Sequence, residues 1–343
     1  MNHEKTKTKK DVDEKVLTAR IPEEQEGERL DKVLPRLFKG YSRSTLQQWL
    51  QEGRVVVNGV IPRKRDPVTP GEDITVTLPE IEAPDEWVAE EIALDIIYED
   101  EAILVINKPA ALVVHPGAGN MRGTLLNAVL HYDPLLATLP RAGIVHRLDK
   151  ETSGLMVLAR TEPVRLDLIK RIKEREVNRE YLAVIHGRPI AGGTIDAPMG
   201  RSPHDRRRMA VTGRGKPAVT HYRVEARYRT STLIRVKLET GRTHQIRVHM
   251  AHEGYPLLGD PVYGGRLRLP PEASQELIDL LRSFKRQALH ATSLAFEHPV
   301  SGEPLSFIQS LPEDMRQLTQ MLAQDQQEHS HLIAPRSRSV LPL

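Results

Sequence analysis

The chain has 343 residues, 39% of them hydrophobic, no cysteine and a formal net charge of +3. That length accommodates two or three domains with at least one large core. No apolar run approaches the roughly 18 residues that would span a membrane, and the lack of cysteine excludes disulfides, zinc-thiolate sites and thiol nucleophiles.

The first segment, residues 1–15, is a charged tail in which Lys5, Lys7, Lys9 and Lys10 crowd together. It reads as disordered and lacks the apolar stretch of a signal peptide, so a cytoplasmic protein is expected. Residues 16–79 read as a small basic module, with nine Lys/Arg against four Asp/Glu between Glu28 and Asp66. Leu30, Val33, Leu34 and Leu37 give one helical face, and Arg29, Lys32 and Arg36 a basic stripe opposite it. Pro35 is expected to kink its last turn. Ser42 is placed to cap a second helix, Arg43 to Gln51, with Leu46, Trp49 and Leu50 inward. Arg54 to Val60 reads as a strand entering an Asn58-Gly59 hairpin turn, and Asp73 to Leu78 as a last strand. Arg43, Arg54, Arg63, Lys64 and Arg65 thicken the positive surface, which suits RNA phosphates.

Residues 80–91 read as an acidic linker; ten acids and no base lie between Glu80 and Glu101. A larger domain is expected over residues 92–323. Its strands are read at Ala102 to Asn107, Leu112 to Val114, Ile144-Val145, Leu155 to Ala159, Glu180 to Ile185, Ala218 to Tyr228 and Thr232 to Leu238. Helices are read at Thr124 to Leu130 and at Pro163 to Arg175, the latter with Leu166, Leu168, Ile169 and Ile172 inward. Thr243 is placed to cap a helix carrying Ile246 and Met250. Strands and helices do not alternate, so a mixed, largely antiparallel sheet with peripheral helices, an α+β fold, is expected in place of a doubly wound parallel one. Arg201 to Lys216 holds six bases and one acid; Arg206, Arg207 and Arg208 read as a phosphate-contacting loop. Gly117-Ala118-Gly119 does not open a helix after a strand, so no nucleotide site is assigned. Residues 324–343 read as a mobile tail.

Two motifs carry the chemistry. His146-Arg147-Leu148-Asp149 lies in a polar loop between apolar runs, and Thr240-Gly241-Arg242-Thr243-His244-Gln245-Ile246-Arg247-Val248-His249 offers a guanidinium to match its carboxylate. Together with Asn107-Lys108-Pro109, Val114-His115-Pro116-Gly117, Arg179-Glu180-Tyr181, Gly215-Lys216-Pro217-Ala218, Gly259-Asp260-Pro261-Val262-Tyr263-Gly264 and Leu289-His290-Ala291, this pair resembles the RluA/RluD family of RNA pseudouridine synthases. The likeness runs from Arg20 to about Met321, and the leading module resembles an S4 RNA-binding domain. The resemblance implies a pseudouridine synthase fold plus an S4-type domain, and a uridine-to-pseudouridine isomerase acting on large-subunit (23S) ribosomal RNA or the pre-50S particle. The implied target is the helix 69 stem-loop at the intersubunit bridge. A family member acting on another rRNA or tRNA site is the alternative within the class. Arg179 stands where many relatives carry Lys.

The implied reaction detaches uracil from C1′, rotates it and reattaches it through C5. No redox change occurs, so no cofactor, metal or nucleotide is expected. By resemblance Asp149 is the catalytic carboxylate, either as nucleophile at C1′ or as base at C2′. Arg247 is expected to keep it ionised and aimed. Tyr181 is expected to stack on the displaced uracil, with its hydroxyl assisting proton loss from C5. Arg147 is expected to fill the gap that the flipped uridine leaves, and His146 to be structural. Each catalytic group comes from one chain, and a monomer is expected.

Rival readings are weaker. His244, His249 and His252 with Asp260 lack the HExxH spacing of a metal-binding helix. A glycoside hydrolase needs two placed carboxylates, and Glu151 is the nearest second acid. An RNA-binding or ribosome-assembly protein without catalysis explains the charge but not the set Asp149, Tyr181 and Arg247.

Overall fold

The computed structural model describes residues 16–38, 41, 43–78, 87–117, 119–203, 205 and 208–329. The expected tail 1–15, the Ser42 cap, most of the acidic linker, Ala118, Arg206, Arg207 and residues 330–343 lie outside them. The chain divides into two units at Glu86/Trp87.

The small unit contains β1 (Val16–Arg20), α1 (Leu30–Leu37), α2 (Arg43–Gln51), β2 (Val55–Val57) and β3 (Asp73–Thr77). Its sheet runs β1-β3-β2, antiparallel throughout. Asn58 and Gly59 both take positive φ, 48° and 80°, as a tight hairpin turn demands. The turn nevertheless returns only Val60, in a single bridge to Val57; the lasting partner of β2 is β3, because Val55 and Val57 bury against Ile74 and Val76. Pro35 sits inside α1 without ending it. Trp49 is core, edge-on to Tyr41 at 4.9 Å.

The large unit contains β4 (Ile96–Glu99), β5 (Ile103–Lys108), α3 (Leu125–Tyr132), β6 (Ser153–Ala159), α4 (Glu162–Glu174), β7 (Asn178–His186), β8 (Gly193–Asp196), β9 (Met199–Arg201), β10 (Met209–Val211), β11 (Val219–Arg227), β12 (Ser231–Leu238), α5 (Gln245–His252), α6 (Gln275–Ser283), β13 (Leu289–Glu297), β14 (Pro304–Ile308) and α7 (Glu313–Glu328). One mixed sheet runs β4-β5-β6-β13-β7-β12-β11-β8, with β14 beside the second half of β13. Only β6 and β13 pair parallel; the remaining pairs are antiparallel. β9 and β10 form a separate hairpin. The fold is the expected α+β arrangement. One core lies between this sheet and α3, built from Leu104, Ile106, Leu125, Leu126, Val129 and Met156; a second places α6 and α7 on the face carrying Val184.

Several expected details differ. Residues 87–91 are not linker: Glu90 N–H donates to the Asn127 carbonyl, its carboxylate accepts from Gly123 N–H, and Trp87 packs on the main core. The start of the expected C-terminal tail is helical, since α7 continues to Glu328 and its Asp325 pairs with Arg229 at 2.8 Å. Leu112 to Val114 makes only the Val113–Thr124 bridge, where Thr124 turns to cap α3. On α4, Val164 and Leu168 face inward while Ile169 is exposed. Thr243 does not cap α5; His244 holds that position in left-handed backbone, φ 58°, and the Gln245 side chain accepts from Arg242 N–H.

Candidate active site

The His146–Asp149 loop is pinned at both ends by close backbone approach. Before it, Gly143 has φ 74° and a Cβ there would lie 1.9 Å from the Ala159 carbonyl oxygen. After it, Gly154 has φ 118° and a Cβ would lie 2.3 Å from the Ala291 carbonyl oxygen, where β6 meets β13. Only glycine meets both conditions at either position. Between them, Lys108 is fully buried, and its ammonium donates to the carbonyls of Pro109, Leu112 and Lys150 at 2.7, 2.9 and 3.1 Å. Burial pushes its pKa down to about 7, against the pull of Glu151 and Asp149. The lysine thus ties β5 to the residue after Asp149. His146 also fixes the loop: its Nε2 accepts from Val157 N–H at 3.1 Å, and burial lowers its pKa to about 3. That contact and the lowered pKa favour the neutral imidazole.

Asp149 presents its carboxylate to a cavity of about 830 Å³ lined also by Tyr181, Arg247, Arg179, His146 and Trp87. Its carbonyl, not its carboxylate, closes the local turn by accepting from Thr152 N–H, so the side chain is left for other work. Arg247 Nη1 donates to Asp149 Oδ2 at 3.0 Å. On the other oxygen, His244 Nε2 stands 3.9 Å from Oδ1. Tyr181 is buried in β7 and lines the same cavity. Burial raises its phenol pKa and the Asp149 charge adds to the rise, while Arg179 opposes it.

The strongest hold on Arg247 was not foreseen. Asp260 clamps it bidentately, Nε to Oδ2 at 2.7 Å and Nη2 to Oδ1 at 2.9 Å. The Asp260 side chain is fully buried, and its Oδ1 also accepts from Val262 and Tyr263 N–H. Burial alone would raise that carboxyl; the Arg247 hydrogen bonds outweigh it and hold it low. Tyr263 completes the wall. Its ring lies 5.0 Å from the Arg247 guanidinium carbon, and its hydroxyl accepts from Met209 N–H and bonds His244 Nδ1 at 2.9 Å. The Gly259–Gly264 motif held the missing carboxylate, but Arg247 and Asp260 are separated by 13 residues, and no local spacing pairs them.

Of the positions read as a rival metal site, His244, His249 and Asp260 have other partners. His249 bonds Thr220 Oγ1 and the Ala197 carbonyl, and Asp260 belongs to Arg247. No group of three or more metal-ligating side chains occurs among the described residues.

The expected RNA contacts fall into several cases. Arg147 is exposed at the cavity and has no bonded partner among the described residues. Lys32 is likewise open. Arg29, expected on an open stripe, is instead bonded bidentately to buried Asp31, and Arg43 stands 3.8 Å from the same carboxylate. Arg36 pairs with Glu28. Arg208 donates to the Val262 carbonyl and lies over the Tyr263 ring, so it braces the site wall from an exposed position.

A carboxylate held by arginine beside a buried tyrosine in a cleft large enough for a nucleotide fits glycosidic-bond chemistry on a flipped base. Residues 102–252 match the family described as RNA pseudouridylate synthase, and residues 28–74 match the S4 domain. The chain is 53% identical to ribosomal large subunit pseudouridine synthase D of Vibrio parahaemolyticus, over 92% of this chain and 97% of the relative. The chain belongs to the RNA pseudouridine synthase family. It is an isomerase that converts uridine to pseudouridine. Relatives of the same name in Escherichia coli and Pseudomonas aeruginosa are 52% and 53% identical, over 91% and 90% of this chain and 96% of each of theirs. Among solved structures, human RNA pseudouridylate synthase domain containing 4 aligns with a TM-score of 0.53 at 27% identity, covering 67% of this chain and 93% of its own. No helix of the described residues is long and apolar enough to cross a membrane.

Proposed function

We propose that this pseudouridine synthase acts on large-subunit ribosomal RNA in the cytoplasm, with uridines of the helix 69 stem-loop as its targets. The names of its relatives and its S4 domain support that substrate. The observation that carries the catalytic reading is the Arg247–Asp149 contact inside the cavity. Asp149 is the reacting carboxylate, either attacking C1′ or taking a proton from C2′. Arg247, immobilised by Asp260, orients it. Tyr181 forms the aromatic wall for the uracil, and its hydroxyl is placed to assist proton loss from C5. Arg147 is unencumbered and suited to occupy the stack vacated by the flipped uridine. One chain supplies all of these groups, which supports a monomer.

The test is complementation of cells lacking this protein, with pseudouridines mapped across the ribosomal RNA. Wild-type chain should restore modification in helix 69. Asp149→Asn should restore none while binding the stem-loop within about threefold of wild type, since the carboxylate acts in the chemical step. Pseudouridine formed by the Asn variant would remove Asp149 from the mechanism. Restoration at other sites only would redirect the substrate.

A further inference from the structure

Arg179 is 7% exposed, on the same face of β7 as Tyr181, and lines the cavity. Its Nε is enclosed without a hydrogen-bond partner, and among the described residues no carboxylate pairs with its guanidinium. Arg247 and Arg286 are comparably buried, yet each is clamped bidentately by an aspartate. A buried cation left unpaired is strongly destabilising, so the missing negative charge is one that arrives with the substrate. Gly241 borders the guanidinium; a Cβ there would stand 3.3 Å from Nη1. The His146 imidazole, whose enclosed Nδ1 also lacks a partner, lines the same cavity.

We infer that Arg179 stabilises the negative charge that develops on uracil as it leaves the ribose, and so is a catalytic residue alongside Asp149. The inference rests on the placing of Asp149 and Tyr181 at the reacting nucleotide. If Asp149 attacks C1′, a C–O bond forms there and the C1′–N1 pair departs with the base. If Asp149 removes the C2′ proton, that C–H pair becomes the C1′=C2′ bond and the N1 pair departs likewise. Either way the free base is an anion with charge spread over N1, O2 and O4. Reattachment uses a base electron pair to form C1′–C5. The carboxylate is expelled or the C2′ proton restored; C5 gives its proton to the Tyr181 hydroxyl oxygen, which passes its own to solvent, and N1 takes one from solvent, so that none is gained or lost. The anion exists only between the two bonds, and a fixed cation facing it lowers the barrier to its departure. A phosphate is the less suitable ligand for Arg179, because exposed Arg147 and Lys173 already stand at the cavity.

The experiment measures the single-turnover rate of C1′–N1 cleavage and RNA affinity for wild type, Arg179→Gln and Arg179→Lys on stem-loops carrying uridine or 5-fluorouridine, read as consumption of the starting nucleotide, because C5 of fluorouridine has no proton to lose and cannot go on to pseudouridine. Fluorine stabilises the leaving anion, so it relieves a variant that cannot. Arg179→Gln should lose about 10²-fold in rate at saturating RNA, the scale of removing one charge-stabilising donor, with affinity within about threefold. Arg179→Lys should recover part of that, and the loss should shrink on 5-fluorouridine. A weakened affinity with normal saturated rate would make Arg179 a phosphate anchor and overturn the inference. Equal losses on both substrates would overturn it too. If the Gln variant unfolds, the Lys variant still reads the substrate difference. Inactive wild-type protein on the stem-loop would indict the substrate proposal instead.

Discussion

At the residue scale, the site is governed by how one guanidinium is shared. Arg247 gives two nitrogens to Asp260 and one to Asp149, so the carboxylate proposed to react is the more weakly held of the two. That division suits a group that must react while its orienting partner stays fixed. Replacing Asp260 by Ala strands a buried guanidinium and two backbone N–H groups. It should cost about 3–5 kcal/mol, the usual loss when one member of a buried ion pair is removed. Denaturant unfolding measures this; an unchanged midpoint would show that Asp149 alone can hold Arg247. Asp149, Tyr181 and Arg247, which line one cavity, could be singled out in the sequence because their motifs are local. Asp260 and Lys108 were not, since a buried ion finds its partners through the fold and not through spacing.

At the scale of elements, apolar periodicity located most helices and strands, including α2 from Arg43 to Gln51. It misjudged the ends and one face. Ile169 has helical spacing for the core but lies at the cavity, exposed, because Val164 and Leu168 already fill the contact with the sheet. The parallel contact of β6 with β13 could not be read either, as nothing in either strand names its neighbour. Gly154 enforces that contact. Gly154→Ala would drive a methyl into the Ala291 backbone at a φ that alanine tolerates poorly. A loss of roughly 2–4 kcal/mol is expected, seen as a lowered melting temperature with activity falling in step. A variant as stable as wild type would mean that β6 and β13 can part without cost.

For the whole molecule, buried neutral histidines set the response to pH. Burial depresses His115, His186 and His290 to about 4 and His146 to about 3. Unfolded histidine titrates near 6.5, so below that pH the unfolded chain binds protons that the folded chain refuses. Stability should therefore hold above about pH 6.5 and fall as pH drops toward 4, by on the order of 1.4 kcal/mol per such histidine per pH unit. Urea unfolding at a series of pH values tests the slope; a midpoint flat between pH 6.5 and 4.5 would contradict it. Composition, motif and period by themselves determined the α+β class, the basic leading module and the two motifs that meet at Asp149 and Arg247, because each is a property of short stretches. The tertiary structure alone decided that Asp260 clamps Arg247, that Lys108 anchors the loop after Asp149, and that Arg179 is buried with no counter-charge among the described residues. Those are facts about which charges share a dry interior, and that depends on segments far apart in the chain meeting in one cavity.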